Sequence, residues 1–152
     1  MENLEIKAAI QIQKPANTVF EGIVDPEKMS NYFIGTSSGQ LIEDTSVTWK
    51  FPEFEGEVLI EVTRVIPGEL VAFKWEGAKG KKLQVQISLK ELEDGSTVVS
   101  VTEGKMEADK AGIAWYGGNT EGWANFLACM KAYLEYGINL RKGAFEFRRG
   151  EM

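Results

Sequence analysis

The segment LQVQISLK at 83–90 alternates without a break. Leu83, Val85, Ile87 and Leu89 fall on one side of an extended chain, and Gln84, Gln86, Ser88 and Lys90 on the other. Side chains of a strand point to opposite faces with a period of two, so one face here is dry and the other wet. The same signature recurs along the chain. Leu4, Ile6, Ala8, Ile10 and Ile12 oppose Glu5, Lys7 and Gln11. Val47, Trp49 and Phe51 oppose Ser46, Thr48 and Lys50, and Phe54, Val58, Ile60 and Val62 oppose Glu55, Glu57, Glu61 and Thr63. Val71, Phe73 and Trp75 form a further apolar face, and STVVSVTEG a last, weaker one. Between them lie the turn signals Pro67-Gly68, the loop EGAKGKK and Asp94-Gly95. Half-buried strands joined by short turns build an antiparallel meander with one face to cover.

Helical segments supply the cover. ANTVFEGIV places Val19, Phe20, Ile23 and Val24 at helical spacing. In DPEKMSNYF, Asp25 is an N-cap and Pro26 takes the first helical position, which starts a second short helix with Met29, Tyr32 and Phe33 turned inward. Near the end, TEGWANFLACMKAYLEYG reads as a long helix, capped by Asn119 or Thr120 and stopped at Gly143. Trp123, Phe126, Leu127, Met130, Leu134 and Ile138 make one stripe along it. The glycine-punctuated stretch KMEADKAGIAWYGG before it reads as irregular. The expected fold class is α+β: an antiparallel sheet of about six or seven strands with helices on one side. Curvature of such a sheet around the long helix leaves a wedge, a natural place for a ligand.

Three stretches carry a resemblance. They are IQIQKPANTVFEGIVDPEKMSNYF, VIPGELVAFKW and EGWANFLACMKAYLEYG. In this order and spacing the chain resembles the helix-grip, START-like (SRPBCC) superfamily, and within it the family of homologues of the activator of heat-shock-protein-ninety ATPase. The similarity spans roughly residues 3–142. It implies a curved sheet gripping the C-terminal helix, with a cavity lined by the inner sheet face and that helix. Carried onto this sequence, the implied lining is Phe33, Trp49, Val58, Ile60, Phe73, Trp75, Val85, Ile87, Trp123, Phe126 and Met130.

Composition narrows the chemistry. The 152 residues suit one domain, 1–152, with a core of about 3–142 and a tail from 143. There is no histidine and a single cysteine, Cys129. That removes Ser-His-Asp and Cys-His nucleophile systems, most zinc shells and any intrachain disulfide. No catalytic residue, metal or cofactor is assigned. The net charge of −6 opposes a nucleic-acid backbone as partner. Arg141, Lys142, Arg148 and Arg149 read as tail solvation, and GGNTEG and GAKGKK as plain turns rather than anion cradles. MENLEIKAAI is neither a signal peptide nor a membrane span, so the expected location is the cytoplasm.

Individual polar residues keep two readings. Glu103 either points into the wedge as an acid or base, or sits on the surface at a strand end, the reading preferred here. Arg64 is either an anchor at the cavity mouth or past the end of the buried run, again with the second preferred. Cys129 reads as a packed thiol beside the helix stripe. The segment 104–119 reads as a flexible gate. The functional expectation is a protein that binds an apolar or amphipathic small molecule. A protein-interaction module serving a chaperone or a second copy of the chain is the alternative, and a carboxylate-dependent cyclase or hydrolase the third reading.

Overall fold

A computed structural model describes residues 2–151; Met1 and the last tail residue, Met152, lie outside the described residues. Seven strands form one antiparallel sheet in the order β1-β7-β6-β5-β4-β3-β2. They are β1 (Asn3–Ile12), β2 (Thr36–Ser37), β3 (Ser46–Lys50), β4 (Glu57–Ile66), β5 (Leu70–Ala78), β6 (Lys81–Glu91) and β7 (Thr97–Glu107). Every strand from β2 to β7 neighbours the next in sequence, and β1 closes the other edge beside β7. Two short helices, α1 (Ala16–Val24) and α2 (Pro26–Met29), follow β1, and the long α3 (Lys110–Tyr136) follows β7. The architecture is the α+β helix-grip.

Alternation has the expected consequence in β6. Leu83, Val85, Ile87 and Leu89 are buried, and Val85 and Ile87 pair with Glu103 and Val101 of β7. Register shifts at Leu4/Glu5, Val62/Arg64 and Glu76/Ala78 mark bulges, which bend and twist a strand. The second one explains Arg64. The extra residue at Thr63 breaks the two-residue parity, and Arg64 emerges exposed beside Ala72 instead of following Val62 inward.

Helix α3 differs from the sequence expectation at both ends. It begins at Lys110, where the Asp109 carboxylate accepts the Gly112 N–H at 2.7 Å, and not at Asn119 or Thr120. Glycine costs helix stability, so Gly112, Gly117 and Gly118 read locally as a break. Tertiary contacts override that preference. Trp115 is buried, and a Cβ on Gly112 would lie 1.8 Å from the Glu107 carbonyl oxygen, so the turn from β7 into α3 closes only around glycine. The supposed gate 104–119 is therefore the end of β7 and the first turns of α3. GGNTEG lies inside the helix, where its amides are engaged in the helix ladder and no anion cradle exists. The stop is Gly137, in the left-handed conformation with φ 67°, and not Gly143. Ile138 accordingly lies beyond the helix and is exposed, while the stripe from Trp123 to Met130 is buried.

Leu134 and Glu135 tie the helix to the segment after β1, and Tyr32 braces that segment. The Tyr32 hydroxyl donates to the Gly22 carbonyl at 2.7 Å, and Leu134 packs 3.1 Å from where a Gly22 Cβ would stand. Glu135 accepts the Gln13 N–H at 2.8 Å and pairs with Lys131. Beyond Gly137 the chain folds back towards the loop after β3 and ends with a short 3-10 turn at Glu146–Arg148. No helix of the described residues is long and apolar enough to cross a membrane.

Candidate functional site

Strand parity places Glu103 on the inner face of β7 with Val99 and Val101, and it is wholly buried. The surface reading is thus overturned. A lone carboxylate cannot be buried cheaply, and this one is satisfied by neutral donors from two elements. Trp123 Nε1 and Asn119 Nδ2 donate to Oε1 at 2.9 and 3.0 Å, and Trp75 Nε1 donates to Oε2 at 2.7 Å. Asn119 also donates to the Gly77 carbonyl at 3.0 Å. A Cβ at Gly77 would lie 2.0 Å from Oε2, so glycine at that position leaves the carboxylate its space. This cluster locks the relative position of β5, β7 and α3, and holds the two indoles at 5.5 Å.

Those indoles form one end of an aromatic chamber. The Phe33 ring lies 4.6 Å from Phe126, 5.3 Å from Phe51, 5.5 Å from Trp49 and 5.9 Å from Trp123. Outside it lies a cavity of about 390 Å³ bounded by α3, the loop after β3 and the C-terminal tail. An adjoining recess of about 130 Å³ shares Phe33, Phe51, Gly118, Asn119 and Gly122 with it and adds Trp75 and Trp123. Gly118 and Gly122 stand one helical turn apart, and a Cβ on either would meet nothing within 4 Å. The helix therefore presents bare backbone where a side chain would occupy the cavity.

The implied lining residues separate into two sets. Phe33 and Phe126 border the larger cavity, and Phe33, Trp75 and Trp123 the smaller. Trp49, Ile60, Phe73, Val85, Ile87 and Met130 are buried in the core, with Val58 packed half-buried against it, and none of them borders either space. The cause is the size of the inner-face side chains. Trp49 stands 5.4 Å from Phe73 and 6.2 Å from Trp75, which fills the middle of the sheet.

The tail is more than solvation. Arg141 makes a bidentate pair with Glu53, Nη1 to Oε2 at 2.9 Å and Nη2 to Oε1 at 2.8 Å. Its guanidinium also lies 5.8 Å from the Phe51 ring centre and 5.1 Å from that of Phe145. Glu53, Arg141, Phe145 and Arg148 all border the larger cavity. Sequence reasoning missed Glu53, Asn119 and the roles of Arg141 and Phe145. The only local signal is the close spacing of aromatics and charges in FPEFEGE and AFEFRR. Cys129 also borders the cavity, and burial pushes its thiol up, with the Arg141 charge acting in the opposite sense.

A curved antiparallel sheet gripping a long C-terminal helix defines a START-like domain. The sequence model of the family described as "Activator of Hsp90 ATPase homolog 1-like protein" matches residues 13–135, and the chain belongs to that family. Protein SSP2350 from Staphylococcus saprophyticus is 33% identical, with 91% of this chain and 96% of that one aligned at a TM-score of 0.79. The Aha1 dimer from Colwellia psychrerythraea is 20% identical over 88% of this chain and 98% of that one, TM-score 0.74. DynU16, described as a putative protein in the dynemicin biosynthetic locus, is 21% identical over 89% of this chain, TM-score 0.79; the match spans only 48% of DynU16. The last two likenesses establish the fold alone. No curated protein matches the chain.

Proposed function

We propose that this protein binds an apolar or amphipathic small molecule in the chamber between α3, the loop after β3 and the C-terminal tail. The observation that carries this reading is the cavity of about 390 Å³ walled by aromatic rings, kept open by Gly118 and Gly122. Its size falls within the range of small-molecule sites, and its few polar groups suit orientation of a ligand. Glycine inside a helix costs about 1 kcal/mol relative to alanine, so two at the cavity wall are a standing expense that a filled wedge would not need. An interaction module of the chaperone-activator kind calls for a filled wedge, which the packed Trp49, Phe73 and Val85 supply, but it gives no account of the cavity beside the tail.

Quenching of tryptophan fluorescence tests the reading, because Trp75 and Trp123 border the smaller recess. Titration with fatty acids, sterols and aromatic polyketides should produce a saturable change for at least one class. Silence across all three, with the same result by calorimetry, sinks the proposal.

A further inference from the structure

The walls and charges of the cavity specify its ligand more narrowly. The apolar side chains lining the larger space are Tyr32, Phe33, Phe51, Phe54, Phe126 and Phe145, with Cys129; no valine, leucine, isoleucine or methionine is among them. The smaller recess adds only Trp75 and Trp123 to this apolar set. Flat backbone at Gly118 and Gly122 completes the wall. Rings favour offset-stacked and edge-to-face partners, worth about 0.5–1.5 kcal/mol per pair beyond area burial. A flexible alkyl chain gains no such contacts and loses more rotamer freedom.

Charge excludes ions. Two acids and two arginines line the larger space, Glu53 and Glu121 with Arg141 and Arg148. Both arginines are already paired: Arg141 with Glu53 at 2.8 Å, and Arg148 with Glu151 at 3.2 Å and, more loosely, with the exposed Glu121 at 3.5 Å. A charged ligand would enter with no free counter-charge and would surrender its hydration. One polar group remains open. Asn125, half-buried on α3, is among the residues lining the cavity, and its side-chain amide is open to solvent and makes no hydrogen bond to another described residue. It offers both a donor and an acceptor.

We infer that the cavity selects an uncharged, planar aromatic molecule bearing a neutral hydrogen-bonding group, which the Asn125 amide receives. The inference rests on the ligand-binding reading above. Phe145, from the tail beyond α3, closes over this ligand.

Calorimetric titration of the full chain at neutral pH with four probes tests it: pyrene, pyrenecarboxamide, pyrenecarboxylate and hexadecanamide. The carboxamide should bind at least tenfold tighter than the carboxylate and than hexadecanamide. Asn125→Leu, and independently Asn125→Ala, should abolish the carboxamide's advantage over pyrene, an effect of about fivefold for one neutral hydrogen bond. Both variants should keep the far-ultraviolet circular dichroism and cooperative thermal unfolding of the parent chain, which shows that they are folded. Phe145→Ala should weaken pyrene and the carboxamide alike, about tenfold. Carboxylate or hexadecanamide binding as tightly as the carboxamide overturns the inference and leaves ligand binding intact. An unchanged carboxamide-to-pyrene ratio in both Asn125 variants also overturns it. Failure of all four probes overturns this inference, while the ligand-binding reading falls only if the fatty-acid, sterol and polyketide titrations are silent as well.

Discussion

Oε1 of Glu103 accepts a 2.9 Å hydrogen bond from the indole N–H of Trp123, and this bond fastens the last strand to the long helix. With Trp75 and Asn119 donating as well, the carboxylate serves as the acceptor for three buried or half-buried donors. Glu103→Leu strands both indole N–H groups and leaves Asn119 only its bond to the Gly77 carbonyl. Each unsatisfied buried donor costs about 1–3 kcal/mol, so the urea midpoint should fall by the equivalent of about 3 kcal/mol or more. Glu103→Gln keeps one acceptor and should lose roughly half as much. A Leu variant within about 1 kcal/mol of the parent would show that the cluster is not structural.

The Glu53–Arg141 pair makes a different prediction. Its side chains are 3% and 14% exposed, so removing one partner leaves a largely desolvated charge. Arg141→Met should destabilise by about 2–4 kcal/mol, and Glu53→Gln in the same chain should recover part of the loss. A double-mutant cycle measures the coupling. Coupling below about 0.5 kcal/mol would place this pair among ordinary surface contacts.

Adjacent glycines on α3 should behave in opposite ways. Gly117 is exposed and borders neither cavity, and a Cβ there meets nothing within 4 Å. Gly117→Ala should therefore raise stability by about 0.5–1 kcal/mol and leave ligand affinity unchanged. Gly118→Leu places a side chain into the chamber. It should cut binding of any ligand that occupies the cavity at least tenfold with no loss of thermal stability. Undiminished binding by Gly118→Leu would place the ligand elsewhere on the molecule.

Alkaline pH should reveal the buried Tyr32. Burial, aided by the neighbouring Tyr133, pushes its phenol well above the ordinary tyrosine range, and burial pushes the Cys129 thiol up as well. In both cases the fold favours the neutral form. Their stabilising contribution is complete below the ordinary values, about 8.5 for a thiol and 10 for a phenol, and is lost as pH climbs from there through the folded values. The thermal midpoint should hold to about pH 8 and decline above it, more steeply beyond pH 10. Tyr32→Phe should lower stability at neutral pH by about 1 kcal/mol, through the lost bond to Gly22, and flatten the steep limb. An unchanged limb in Tyr32→Phe would assign the alkaline transition to other groups.

Much of the scaffold was legible residue by residue. Alternation in 83–90 marks β6 and its dry face, and Asp25-Pro26 marks the start of α2, where Asp25 accepts the Glu27 N–H at 3.0 Å. These are local signals, and the helix-grip arrangement follows from their order. The start of α3 was not legible, because glycines at 112, 117 and 118 oppose a helix that long-range packing of Trp115 and Trp123 nonetheless sustains.

By itself the sequence determined the centres of every strand but β2, the dry faces of β1 and β3 to β6, and that one aromatic-striped helix must cover the sheet. Those properties follow from the fixed two-residue and 3.6-residue periods of the backbone, which any short window displays. The sequence also ran Phe51 and Phe54 into strands, where the structure has a loop between β3 and β4. Only the tertiary structure decided that Glu103 turns inward to two indoles, that Glu53 finds Arg141 across 88 residues, and that the open volume lies under the tail rather than at Phe73 and Val85. Such pairings depend on how whole layers meet, and on how much of the space between them large side chains fill, and no local period encodes either.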